Sequence, residues 1–201
     1  MKDALRDEIT ELAGSIRALE RQLELALAKR RVELNYKVED GVVRFEHSVI
    51  AKHRLLKARL LRYIFGARPA LILTSPVIYS LIIPLTLLDL FAALYQAVCF
   101  PVYGIPRVRR RDYLAFDRGQ LAYLNAIEKL NCEYCAYANG LLAYVGEIAS
   151  RTEEYWCPIK HARRVLGAHS RYGSFVDYGD GDAYRHDLER LRIEIQSEEA
   201  N

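Results

Sequence analysis

At 201 residues the chain is long enough for one domain, or for a small domain with appendages. Its composition, 51% hydrophobic and 27% charged with a net charge of +3, excludes intrinsic disorder. Residues 69–106 carry a single charge, Asp89, between Arg68 and Arg107, and so apolar a run all but excludes a purely soluble protein.

The first segment, residues 1–35, carries Leu5, Ile9, Leu12, Ile16, Leu19 and Leu23 at spacings of four and three. This is an a/d stripe over about three heptads, which predicts a coiled-coil-like helix. Its seam needs a partner: a second copy in a homodimer, another helix through residues 5–23, or the chain's own later helices. The first 31 residues are charged throughout and lack an apolar h-region, so no secretory signal is expected there.

Residues 36–68 read as two elements. Tyr36 and Val38 alternate before Asp40-Gly41, and Val43 and Phe45 alternate after it, the pattern of a β-hairpin on a two-residue turn. The competing reading is a loop with a helix restarting at Val42. From residue 45 to 64, Phe45, Val49, Leu56, Leu60 and Ile64 recur at helical spacing among basic residues, predicting a basic amphipathic helix on a membrane surface. Nucleic acid is the weaker partner for such a helix beside an apolar run, and none is expected.

Both flanks of the run at 69–106 are basic. Residues 1–68 carry net +5, and residues 107–118 carry net +3. Positive flanks favour the cytoplasm and an anionic leaflet, so an even number of crossings is expected. Thirty-eight helical residues would extend about 57 Å, against a hydrocarbon core of about 30 Å. The expectation is therefore a helical hairpin, residues 70–83 and 85–100, turning at Pro84. It would be either two short spans or a re-entrant wedge, and its rival is one tilted, kinked span. Asp89 at bilayer depth is a functional candidate by default; the alternative is that it caps the second arm or bonds Thr86 or Tyr95.

Residues 107–167 are expected to form a small cytoplasmic helical Cys/His domain, with helix over 121–150. Cys132, Cys135, Cys157 and His161 give C-x2-C, a gap of 21, then C-x3-H, two close pairs of the kind a tetrahedral Cys3His site needs. Zinc or an iron–sulfur cluster would suit them. Glu128, Cys132, Cys135 and Asn139 share one helical stripe, and Glu128, Asn139 or Glu147 are the candidate extra ligands or supports. Pro158 suits a first helical turn, so two helices would each present a pair. Two readings compete with metal: thiol–disulfide chemistry at Cys132 and Cys135, and inert buried cysteines. His47, His53, His169 and His186 are isolated and read as solvated. Gly140 and Gly146 would permit close helix approach.

Residues 168–201 read as a loop through 168–182 followed by a short amphipathic helix, 183–196. Asp177, Asp180 and Asp182 fall short of a full EF-hand ligand set. No phosphate-binding glycine loop, nucleophile elbow or zinc-protease helix is present, so no reaction is indicated. An enzyme acting on a lipid or quinone through Asp89 or Glu128 is the weakest option.

The stretches Phe116-Asp-Arg-Gly-Gln-Leu-Ala-Tyr-Leu-Asn125, Ile127-Glu-Lys-Leu-Asn-Cys-Glu-Tyr-Cys135 and Tyr155-Trp-Cys-Pro-Ile-Lys-His161, with residues 95–107, resemble an uncharacterised family of proteobacterial membrane proteins. The resemblance covers about residues 70–175 and takes in all four cysteines and His161. It implies a membrane setting and supplies no activity. The combined expectation is a mainly α protein of the bacterial inner membrane with both termini cytoplasmic. Its function is that of a membrane-anchored metal protein or, alternatively, a coiled-coil adaptor without metal.

Overall fold

The structure, a computed structural model, describes residues 2–34, 36–39, 42–163 and 165–198; the side chains of residues 2–10, 13, 37–39, 42 and 61 fall outside that description. The chain is mainly helical and divides into two units, residues 1–59 with 120–125, and residues 60–119 with 126–201.

In the first unit the heptad stripe becomes one 32-residue helix, α1 (Lys2–Glu33). Leu12, Ile16, Leu19 and Leu23 are all exposed on it, whereas Leu5 and Ile9 lie outside the described side chains. Strands β1 (Tyr36–Glu39) and β2 (Val42–Phe45) pair antiparallel, with Tyr36 opposite Phe45 and Val38 opposite Val43. That register fits the expected two-residue turn, although Asp40 and Gly41 themselves lie outside the described residues.

The expected basic helix over 45–64 is not continuous. Phe45 ends β2, α2 (His47–Leu55) stops at Leu56, and α3 (Leu60–Phe65) starts afresh in the second unit. Between Lys52 and Arg59 no acidic residue is available for the i,i+3 or i,i+4 ion pairs that would support a continuous helix. Phe45 instead packs its ring on Tyr36 and on His53, whose other edge meets Tyr123.

The second unit begins with α3 and continues into α4 (Pro69–Ser80) and α5 (Ile82–Tyr103). The hairpin expected here does not form. Leu81 keeps right-handed helical angles, its N–H bonds the Ile78 carbonyl, and the Leu85 N–H bonds Leu81. Pro84 falls in the first turn of α5, where its missing donor costs little, so the helical path continues through it. Pro69–Tyr103 is thus a single helical path of 35 residues, long and apolar enough by length and composition to cross a membrane.

Gly104, at φ 72°, ends α5 in the left-handed conformation that favours glycine, and the Ile105 N–H returns to the Phe100 carbonyl at 2.9 Å. The chain then runs back beside α5. The Val108 N–H donates to Gln96 Oε1 at 3.1 Å, and Arg110 reaches Asp89. Helix α6 (Ala126–Trp156) sets out parallel to α5, so that Tyr137 meets Asp89, Tyr144 meets Gln96, and Tyr155 stacks on Tyr103. Helix α7 (Gly181–Ser197), capped by the Asp180 carboxylate on the Ala183 N–H, packs on α6 and sends Gln196 to the Tyr103 carbonyl.

One core serves all these segments. Phe100, Leu141, Tyr144, Ile148 and Ile195 lie at its centre, with Ala92, Ile105, Val108 and Leu114 around them. Each fully buried side chain of this size stabilises the fold by about 1.5–3 kcal/mol relative to exposure. The two helical glycines separate here. A Cβ on Gly140 would stand 2.6 Å from the Tyr113 carbonyl oxygen, whereas one on Gly146 meets nothing within 4 Å. Gly140→Ala is expected to destabilise the protein by about 1–3 kcal/mol. Gly146→Ala should be neutral or stabilising by up to about 1 kcal/mol, since alanine is the better helix former. Thermal unfolding of the two variants side by side checks the contrast.

Candidate functional site

The four expected metal ligands do not converge. Cys132 and Cys135 sit near the start of α6, and that helix continues unbroken to Trp156, one residue before Cys157. Twenty-two residues at 1.5 Å each place Cys157 and Cys135 about 30 Å apart. Thiolates sharing one zinc ion lie within about 4 Å of each other, given bonds of about 2.3 Å. The expected second helix is missing too: residues 157–161 leave α6, and Ile159 forms a bridge with Val176. Among the described residues no group of three or more His, Cys, Asp or Glu is placed to hold a metal ion. Cys135 and Cys157 are exposed, while Cys99 and Cys132 are half-buried.

The proposed supporting residues are engaged elsewhere. The Asn139 amide donates to its own helix at the Cys135 carbonyl. Asp89 neither caps α5 nor bonds Thr86 or Tyr95; it accepts from Arg110 at 2.7 Å and from the Tyr137 hydroxyl at 3.1 Å. Arg110 comes from the returning chain, so this pair holds that segment against α5 and α6. Glu128 stands two residues before Leu130 in the opening turns of α6.

Glu147 belongs to a buried ionic cluster. It accepts from Arg151 at 2.7 Å and from Arg171 at 3.0 Å; Arg171 also reaches Glu154 at 3.0 Å and Glu198 at 2.5 Å. Arg151 donates further to the Pro106 carbonyl. Arg171 lies on a 3-10 turn (Ser170–Ser174), so the cluster fastens that turn and the end of α7 to α6. Burial pushes Glu147 up, but the hydrogen bonds from Arg151 and Arg171 outweigh it and hold the carboxyl below its ordinary value. Glu154, buried and paired with Arg171, is pushed above its ordinary value by that burial.

Beside this cluster opens a cleft of about 400 Å³ lined by Glu147, Glu153, His161, His169 and Tyr172, among others. His169, expected to be solvated, pairs with Glu153 at 3.0 Å. Its Nδ1 is buried without a partner among the described residues, so the imidazole presents no free nitrogen to solvent. His161 stacks on Tyr172, whose hydroxyl receives the His161 N–H. No sequence spacing could have joined Glu153 to His169, because a loop brings them together.

The most extensive surface feature is apolar. On α5, Ile83, Leu87, Leu90, Phe91, Leu94, Val98 and Val102 are exposed at helical spacing. The opposite face, Ala92, Gln96 and Phe100, is buried. On α4, Leu71, Ile72, Leu73, Val77 and Ile78 extend the exposed surface. The result is a ridge about 52 Å long at 1.5 Å per residue. Contiguous apolar surface of this extent marks a protein or membrane contact. The chain matches no family model, no curated protein and no solved structure.

Arg171→Ala should leave Glu147 and Glu154 buried without their shared cation and cost about 3–5 kcal/mol, read by thermal unfolding. The pH dependence follows from Glu147, whose folded value lies below the unfolded one. Its contribution is complete above the ordinary carboxylate value, about 4.3, and is lost as pH falls through the folded value. Glu147→Gln is expected to lower the melting temperature near neutrality and to flatten its decline in acid.

Proposed function

We propose that the protein is a membrane-anchored adaptor at the cytoplasmic face of the bacterial inner membrane. Residues 69–103 serve as the anchor, and α1 offers its heptad seam to a partner helix. The observation that carries this reading is the exposure of Leu12, Ile16, Leu19 and Leu23, each 58–63% exposed on a 32-residue helix. An apolar seam left open along a helix is resolved by a second helix.

A second copy of the chain is the simplest partner, since the same stripe meets itself in a parallel pair. Three heptads are short for a free coiled coil, but anchoring two copies in one membrane raises their effective concentration and favours pairing. The cysteines have no part in this reading, because Cys132 and Cys135 stand at one end of α6 and Cys157 beyond the other.

Deleting residues 1–35 is expected to convert a dimer into a monomer by size-exclusion chromatography with light scattering, while the protein stays in the membrane fraction. Cys132→Ser and Cys157→Ser should change neither property. A full-length chain that stays monomeric and crosslinks to no partner helix through α1 overturns the adaptor reading.

A further inference from the structure

We propose that the α4–α5 ridge lies lengthwise in one leaflet of an anionic bilayer and does not cross it. The inference rests on the anchoring half of the proposed function and specifies its geometry.

Length is the first argument. The 35-residue path is about 52 Å long, well beyond a hydrocarbon core of about 30 Å. What packs beside it decides more. If α5 crossed the bilayer, α6 and the returning chain would be carried to the same depth. Tyr79 already bonds Asn131, the Ile78 carbonyl accepts from Tyr134, and Leu71, Thr74 and Ser75 line a pocket with Asn131, Tyr134 and Cys135, so no stretch of the path long enough to cross the hydrocarbon stands clear of α6.

The returning chain, residues 104–119, has no α-helix and exposes Arg109, Arg111 and Asp112. Irregular backbone and charged groups of this kind are not tolerated against lipid tails. The end of α5 meets α7 through Gln196 at the Tyr103 carbonyl, and α7 exposes Arg185, Glu189, Arg190 and Glu194. Polar structure therefore accompanies the helical path from Tyr79 to Tyr103 on one side, and the exposed apolar ridge runs along the other.

A helix lying in the interface satisfies both sides. Its exposed row, Ile83 to Val102, enters the acyl region while α6 and α7 remain in water. Arg62 and Arg68, exposed at the start of the ridge, and Arg107, Arg109 and Arg111, exposed on the chain that returns alongside α5, sit at headgroup level, where each basic residue gains on the order of 1 kcal/mol from anionic lipid. Zero crossings also place both basic flanks on one side of the membrane, as the charge rule requires. The hairpin was one way to meet that rule; a helix lying flat is another, and it needs no reversal.

The test uses full-length protein and the fact that the chain has a single tryptophan. In a Trp156→Phe background, tryptophan is placed singly at Ile83, Phe91, Val98 and Val102, exposed positions whose replacement leaves the core intact. Each variant is mixed with vesicles of phosphatidylethanolamine and phosphatidylglycerol carrying lipids brominated at defined depths. Cosedimentation is expected, with all four positions quenched most by the same shallow bromine. Quenching that passes through the bilayer centre between 83 and 102 overturns the flat geometry and leaves the anchor standing. Failure to cosediment overturns the anchor itself and the flat geometry with it. Phe91→Glu, checked for unchanged circular dichroism, should lose most vesicle binding. Equal binding of the unaltered chain to phosphatidylcholine vesicles would remove the anionic leaflet from the proposal.

Discussion

Two long helices in succession usually pack antiparallel across a short turn. Here α5 and α6 run parallel, and that arrangement requires the chain to travel back along their full contact before α6 can begin. The return is possible because it is hydrogen-bonded at each stage. Gln96 accepts from the Val108 N–H while its amide donates to Tyr144, and Asp89 holds Arg110. Gly140 lets the Tyr113 carbonyl approach within a distance that any side chain would block. Remove these fastenings and neither the core around Phe100 nor the placement of α6 has a basis.

The same arrangement determines where chemistry can and cannot occur. The unbroken α6 sends Cys132 and Cys135 to one end and Cys157 to the other, so the two pairs seen in the sequence lie far from each other. It also brings Glu147, Arg151 and Glu154 onto one side of the helix, where Arg171 closes them into a buried cluster. Buried ion pairs of this kind make breaking the cluster costly, more than they add net stability. The cleft beside it, with His169 turned onto Glu153, is bounded by groups already committed to one another.

Much of the architecture was legible from local pattern. The heptad stripe gave a helix of the expected extent, the alternation around residues 40–41 gave paired strands, and the proline-free stretch after residue 121 gave α6. These signals are local, because periodicity and turn chemistry act over a few residues. The expected hairpin at Pro84 rests on the length of the apolar run and on the charge of its flanks, and neither sets the backbone angles at residues 81–85. In the first turn of a helix proline's missing N–H removes little, and the neighbouring helical bonds carry the path onward. The expected Cys3His set does not come together among the described residues, because close spacing within each pair says nothing of the distance between pairs once one long helix separates them.

The sequence by itself determined that the chain is mainly helical, that one segment is long and apolar enough to cross a membrane, and that positive charge borders that segment on both sides. Those properties are written in composition and in short-range periodicity, and no folding partner can alter them. Only the tertiary structure decided which face of α5 is covered, that Asp89 is matched by Arg110 and Tyr137, and that the thiols are kept apart. Each of those outcomes depends on which residues the returning segment and the parallel α6 bring alongside α5. Sequence spacing carries no information on contacts made by segments so far apart along the chain.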